Sequence, residues 1–150
     1  AASHFETSGT ARFLALFMTL EALMAPTPRS EAARKHVDQL IDCTKAADIP
    51  DDDKRSLTGA IAWLKNQSIA QTGRRMANEL LGDATYQSLR AGEFFDRMYR
   101  TRNDLVHRGI VNPDTLHVLV GEADQFVSAI LQRYFIDPKT TEYCEDQPGD

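Results

Sequence analysis

At 150 residues, 42% of them apolar and 26% charged, the chain is long enough to bury a core without disulfide or metal staples, and its composition is that of a globular protein. No apolar run approaches the roughly 20 residues that a membrane span needs. A net charge of −5 and a pI of about 5.3 argue against a protein that coats nucleic acid through a broad basic surface.

The longest greasy stretch, Phe13 to Met24, is broken by Thr19 and Glu21 and has neither a basic leader nor a small-residue cleavage site, so a signal peptide is not expected. The only cysteines, Cys43 and Cys144, lack metal-ligand or redox spacing. Free thiols, no disulfide and a reducing, cytoplasmic setting are the expectation. The start at Ala1-Ala2-Ser3 fits one domain of a longer polypeptide that carries further modules.

Apolar residues recur at three and four positions, with breakers between the periodic segments, so the expected fold is all-α, a helical bundle of about five or six helices. The first helix is predicted from about Thr10 to Ala25, carrying Phe13, Leu16, Phe17, Leu20 and Met24 and stopping before Pro26-Thr27-Pro28. Ser30 caps a second, about Glu31 to Ala47, that buries Val37, Leu40 and Ile41. A third opens on the acidic run Asp51 to Asp53, favourable at the positive end of the helix dipole, and carries Leu57, Ile61 and Leu64. A fourth, from about Ser68 to Leu81, ends at Gly82, and a loop of small and polar residues follows.

The next helix is predicted from Glu93 to about His107, with Gly109 just beyond its end. Asn112-Pro113 then reads as N-cap and first-turn proline of a long closing helix with Leu116, Val120, Ala123, Val127, Ile130 and Tyr134 on one side. The folded domain is expected over residues 1–137, and 138–150 as a polar, acidic tail or linker stub.

The Glu93 helix breaks its own pattern. With Asn103 at zero on a wheel of about 100° per residue, Phe94, Phe95, Met98, Tyr99, Leu105 and Val106 fill an arc from about 180° to 320°, and Arg102 falls inside it at about 260°. A guanidinium there cannot lose its charge, so it requires an anionic partner or ligand. Glu21 is the matching anomaly on the apolar stripe of the first helix, and the two are natural partners. Asn103 and His107, four apart, face one space at the edge of the arc. Five of the seventeen basic residues, Arg90, Arg97, Arg100, Arg102 and Arg108, lie in this stretch. Asp104 is expected to be an exposed partner of Arg100. His4, His36 and His117 stand singly, so no metal site and no cofactor is expected.

Arg102-Asn103-x-x-x-His107, set in Tyr99-Arg100-Thr101-Arg102-Asn103-Asp104-Leu105-Val106-His107-Arg108-Gly109, closely resembles the Arg-polar-x-x-x-His signature of HEPN domains, in particular the Apea-like group. Arg12-Phe13-Leu14 through Leu20-Glu21-Ala22-Leu23, the acidic helix from Asp51 and the long helix after Pro113 also look like that group, so the resemblance spans about Phe5 to Phe135. It implies a helical bundle that forms a homodimer in which two such motifs meet, and a metal-independent endoribonuclease of the toxin or antiviral-defence kind. Arg102, Asn103 and His107 would be catalytic, Glu21 would orient Arg102, and Arg100 and Arg108 would touch flanking RNA phosphates.

Two other readings stand beside it. Arg102 and Glu21 can be an internal clamp in a non-catalytic module that dimerises or senses a ligand for a larger protein, with His107 a helix-end histidine favoured by the dipole. Nucleotide binding with Arg102 on a phosphate is the third, and the sequence has no glycine-rich phosphate loop to go with it.

Overall fold

A computed structural model of the chain describes residues 9–109 and 111–136. His4, Cys144 and the segment 138–150, on which expectations were placed, lie outside the described residues. The fold is all-α. Among the described residues, six helices and one short hairpin follow in the order α1 (Gly9–Leu23), α2 (Glu31–Ala46), α3 (Asp51–Trp63), α4 (Ile69–Leu81), β1 (Thr85–Tyr86), β2 (Leu89–Arg90), α5 (Ala91–Arg108) and α6 (Pro113–Ile136). They divide into two compact units, one of residues 25–72 and one made of the segments before and after it. No described helix is long and apolar enough to cross a membrane.

The smaller unit is the α2–α3 helical hairpin. Ser30 Oγ accepts from the Ala33 N–H at 3.3 Å to start α2, while α3 begins after Pro50 with three aspartates in its first turn in place of a side-chain cap. Its ends are tied by Gln67 N–H to Thr27 O at 2.7 Å, Arg29 N–H to Lys65 O at 2.8 Å and Arg29 Nε to Leu64 O at 2.8 Å. Val37 and Ile41 are buried, but Leu40, Leu57, Trp63 and Leu64 are exposed, against the expectation for Leu40 and for the apolar side of α3. Two helices give each other one face only, so side chains outside that seam have nothing within the unit to cover them.

In the larger unit α1 packs on both α6 and α5. The core joins Phe13, Phe17 and Leu20 of α1 to Phe94, Phe95 and Met98 of α5 and to a row along α6 from Leu116 to Ile130. The predicted stripe of α6 is buried from Leu116 to Ile130, with Leu119 and Phe126 added to it. Its start is capped as expected, Asn112 Oδ1 accepting from Asp114 N–H at 2.9 Å and Thr115 N–H at 3.4 Å. Two glycines stop helices in the left-handed conformation, Gly82 at φ 55° and Gly109 at φ 65°, as a Cβ-free residue readily does.

The loop after α4 instead holds the β1–β2 hairpin, Thr85 opposite Arg90 and Tyr86 opposite Leu89. Its two turn residues, Gln87 at φ 49° and Ser88 at φ 63°, are both left-handed, as a two-residue I′ turn demands. Neither is the Asn or Gly that usually bears this conformation. The hairpin is held by Tyr86, whose ring lies 5.4 Å from Phe94 and 5.0 Å from Phe126, and by Gln87 Nε2 donating to Val118 O at 3.4 Å. Burial, helped by the nearby Glu122 carboxylate, pushes the Tyr86 phenol above its ordinary value of 10.0.

Stability should therefore be unaffected by Tyr86 below pH 10 and fall above it, as the unfolded phenol ionises first and the folded one resists. Urea unfolding at rising pH should show a steeper loss for the wild type than for Tyr86→Phe, which keeps the ring. On α4, a Cβ at Gly73 would collide with the end of the Phe95 ring. Gly73→Ala is expected to cost about 1–3 kcal/mol by the same measurement, the usual penalty of overpacking.

Candidate functional site at the end of α5

Helix α5 is placed by its contact with α1. Phe17 meets Phe95 at 5.7 Å and Tyr99 at 6.2 Å between ring centroids, and one turn further on Glu21 meets Arg102. The two helices thus run in the same direction, with rings at one end of the seam and charges at the other. Arg102 Nη2 lies 3.4 Å from Glu21 Oε1, with side chains 29% and 25% exposed. Its Nη1 donates to Asn103 Oδ1 at 3.3 Å. The cation that the wheel placed among apolar neighbours is thus satisfied by a carboxylate on one side and a carboxamide on the other.

The rest of the predicted arc divides. Phe94, Phe95 and Met98 are fully buried, Tyr99 and Leu105 half-buried, and Val106 is 53% exposed, a difference from the expected burial. Val106 lies in the final turn, where its neighbour Leu105 is the residue that packs against the core. His107 is exposed in the same turn, close to the negative end of the helix dipole, and makes no hydrogen bond or ion pair among the described residues. Asn103 is half-buried and turns its oxygen to Arg102, so its Nδ2 donors are available.

Arg102 and His107 are five residues apart, about 140° around the helix. They do not converge on one point along a single helix. Asn103, between them in angle, bonds the first and stands one turn before the second. Within one chain the motif is therefore a half-buried cation and an exposed imidazole presented on well-separated faces of α5.

The neighbouring charges resolve differently from the sequence expectation. Asp104 Oδ1 pairs with Arg108 Nη1 at 3.5 Å, not with Arg100; both arginines stand four residues away, and at the helix C-terminus the dipole adds to the pull on the later one. Asp96 is taken by Arg74 of α4, whose Nε lies 2.8 Å away. Glu93 Oε2 accepts from the Arg90 N–H at 3.0 Å at the start of α5.

A cavity of about 350 Å³ opens at that end of α5, lined by Arg74, Asn78, Asp83, Arg90, Gly92 and Glu93. Asn78 Oδ1 caps the Gly92 N–H at 3.0 Å. This cavity was not foreseen, because its α4 side is brought in by tertiary packing that leaves no local signal. Among the described residues no group of three or more His, Cys, Asp or Glu side chains is placed to hold a metal ion.

The chain matches no family model, no curated protein and no solved structure.

Arg102→Met keeps the apolar stem and removes the charge. It should lose about 1–3 kcal/mol in thermal unfolding, because it strands a largely buried carboxylate. Arg108→Ala, which breaks only the exposed pair to Asp104, should stay within about 0.5 kcal/mol of wild type.

Proposed function

We propose that this chain is a metal-independent endoribonuclease domain of the HEPN kind, acting as a homodimer with Arg102, Asn103 and His107 of both copies around one RNA strand. The observation that carries this reading is the contrast within one motif. Arg102 is held by Glu21 and Asn103, while His107, five residues further on, is exposed and without a partner among the described residues. Phosphodiester cleavage requires a held cation and an available proton carrier, and because this helix presents the two on different faces, the reading brings them together from two copies.

The chemistry assigns each group a role. The ribose 2′-oxygen attacks the adjacent phosphorus while one His107 takes its proton. The bond from phosphorus to the 5′-oxygen breaks, and the partner's His107 protonates that oxygen as it leaves. The products are a 2′,3′-cyclic phosphate and a 5′-hydroxyl. Histidine suits both transfers because it exchanges protons near neutral pH. Arg102 stabilises the charge on the phosphorane, and Asn103 Nδ2 donates to a phosphate oxygen. One chain offers one histidine in this motif, which is why the reading includes a second copy.

A second reading has an observation of its own. Arg102 is already satisfied inside the chain, so the Glu21 pair serves equally as an internal clamp in a non-catalytic module. Single-stranded RNA incubated with the chain in excess chelator separates the two. Cyclic-phosphate ends should appear and should fall by about 100-fold or more in His107→Ala and in Arg102→Ala. Cleavage unchanged in both variants, or no cleavage by a folded dimeric wild type, would overturn the nuclease and leave the clamp.

A further inference from the structure

Acidic residues outnumber basic ones, 22 to 17, so an arginine in this protein has carboxylates to choose from. In the larger unit most of them choose: Arg12 pairs with Asp124 at 3.2 Å, Arg74 with Asp96 at 2.8 Å, Arg75 with Glu79 at 3.7 Å, Arg102 with Glu21 at 3.4 Å and Arg108 with Asp104 at 3.5 Å. Arg97 and Arg100 have no carboxylate within ion-pairing distance among the described residues.

Helical spacing offers each of them acids one turn away, and all are committed elsewhere. Glu93, four before Arg97, accepts from the Arg90 N–H. Asp96, four before Arg100, belongs to Arg74, and Asp104, four after it, belongs to Arg108. Two arginines three residues apart on one helix are thus left without an ion-pair partner among the described residues, a like-charge spacing that disfavours the helix. An anion placed between them reverses that cost.

Their position names the anion. Arg100 lies within about 20° of His107 around α5 and about 10 Å before it along the axis, and Arg97 lies about 80° from His107 around the helix and about 15 Å before it. We infer that Arg97 and Arg100 form a phosphate-binding pair that holds single-stranded RNA along α5, so that the strand leaves His107 toward the helix N-terminus. The assignment of the ligand as RNA rests on the function proposed above. Arg108 is left out of this track because it pairs with Asp104 at 3.5 Å.

The test is fluorescence anisotropy with a labelled single-stranded oligonucleotide bearing 2′-O-methyl groups throughout, which lacks the nucleophile and reports binding alone. Arg97→Ala and Arg100→Ala should each weaken binding and each reduce the slope of log affinity against log salt by about 0.7, one phosphate contact per arginine. The double variant should bind about tenfold or more weakly, while Arg108→Ala binds as wild type. Arg97→Lys with Arg100→Lys should restore much of the salt dependence, as retained charge predicts.

Undiminished binding in the double alanine variant, equal loss in Arg108→Ala, or no binding by the wild type would overturn the inference. Competition by millimolar inorganic phosphate as strong as that by unlabelled RNA would also overturn it, leaving an isolated anion site. The two proposals fail separately. Cleavage that needs His107 with binding indifferent to Arg97 and Arg100 removes only the track. Binding that needs both arginines without any cleavage removes only the nuclease.

Discussion

The seam between α1 and α5 fixes where every candidate functional group stands. Its first part is apolar, with Phe17 set between Phe95 and Tyr99, and burial of such rings is worth more than any single polar contact in the protein. Its last part is the Glu21–Arg102 ion pair. Rings alone hold two helices together but tolerate sliding and rotation; a charge pair that is largely out of water tolerates neither, because separation strands both ions. The pair therefore sets the rotation of the final turns of α5, and with it the directions in which Asn103 and His107 project.

The remaining faces of α5 follow from that one orientation. With Arg102 turned to α1, the opposite surface is left to Arg97, Arg100 and His107, while the carboxylates along the helix are drawn to Arg74, Arg108 and the backbone at Arg90. Glu93, Asp96 and Asp104 lie on this same side of α5, so what sets Arg97 and Arg100 apart is that neither has an ion-pair partner among the described residues. Net charge describes the field at a distance, and it says little about a strip whose acids are individually engaged.

How much of this was legible in the sequence depended on whether the signal was local. Asn112 capping α6, Ser30 capping α2 and Gly109 ending α5 could be read directly, since a cap is decided within four residues. The misfit of Arg102 and Glu21 was visible on the two wheels, and because each anomaly requires an opposite charge, their pairing could be deduced across 81 positions (102 − 21). The β1–β2 hairpin was illegible: its turn uses Gln87 and Ser88 where Asn-Gly is the recognisable pattern, and it is held by Tyr86 against rings from two helices. The partner of Asp104 was equally hidden, since Arg100 and Arg108 satisfy the same spacing, and so was the cavity between Arg74 and Arg90, which exists only after α4 meets α5.

A double-mutant cycle across the seam bears on this account most directly: unfolding free energies of wild type, Glu21→Gln, Arg102→Met and the combination of the two. If the ion pair orients α5, the single variants should be non-additive, with a coupling of about 1 kcal/mol or more. Additivity to within about 0.3 kcal/mol would contradict it, since the two side chains would then be independent and nothing but apolar packing would aim the end of α5.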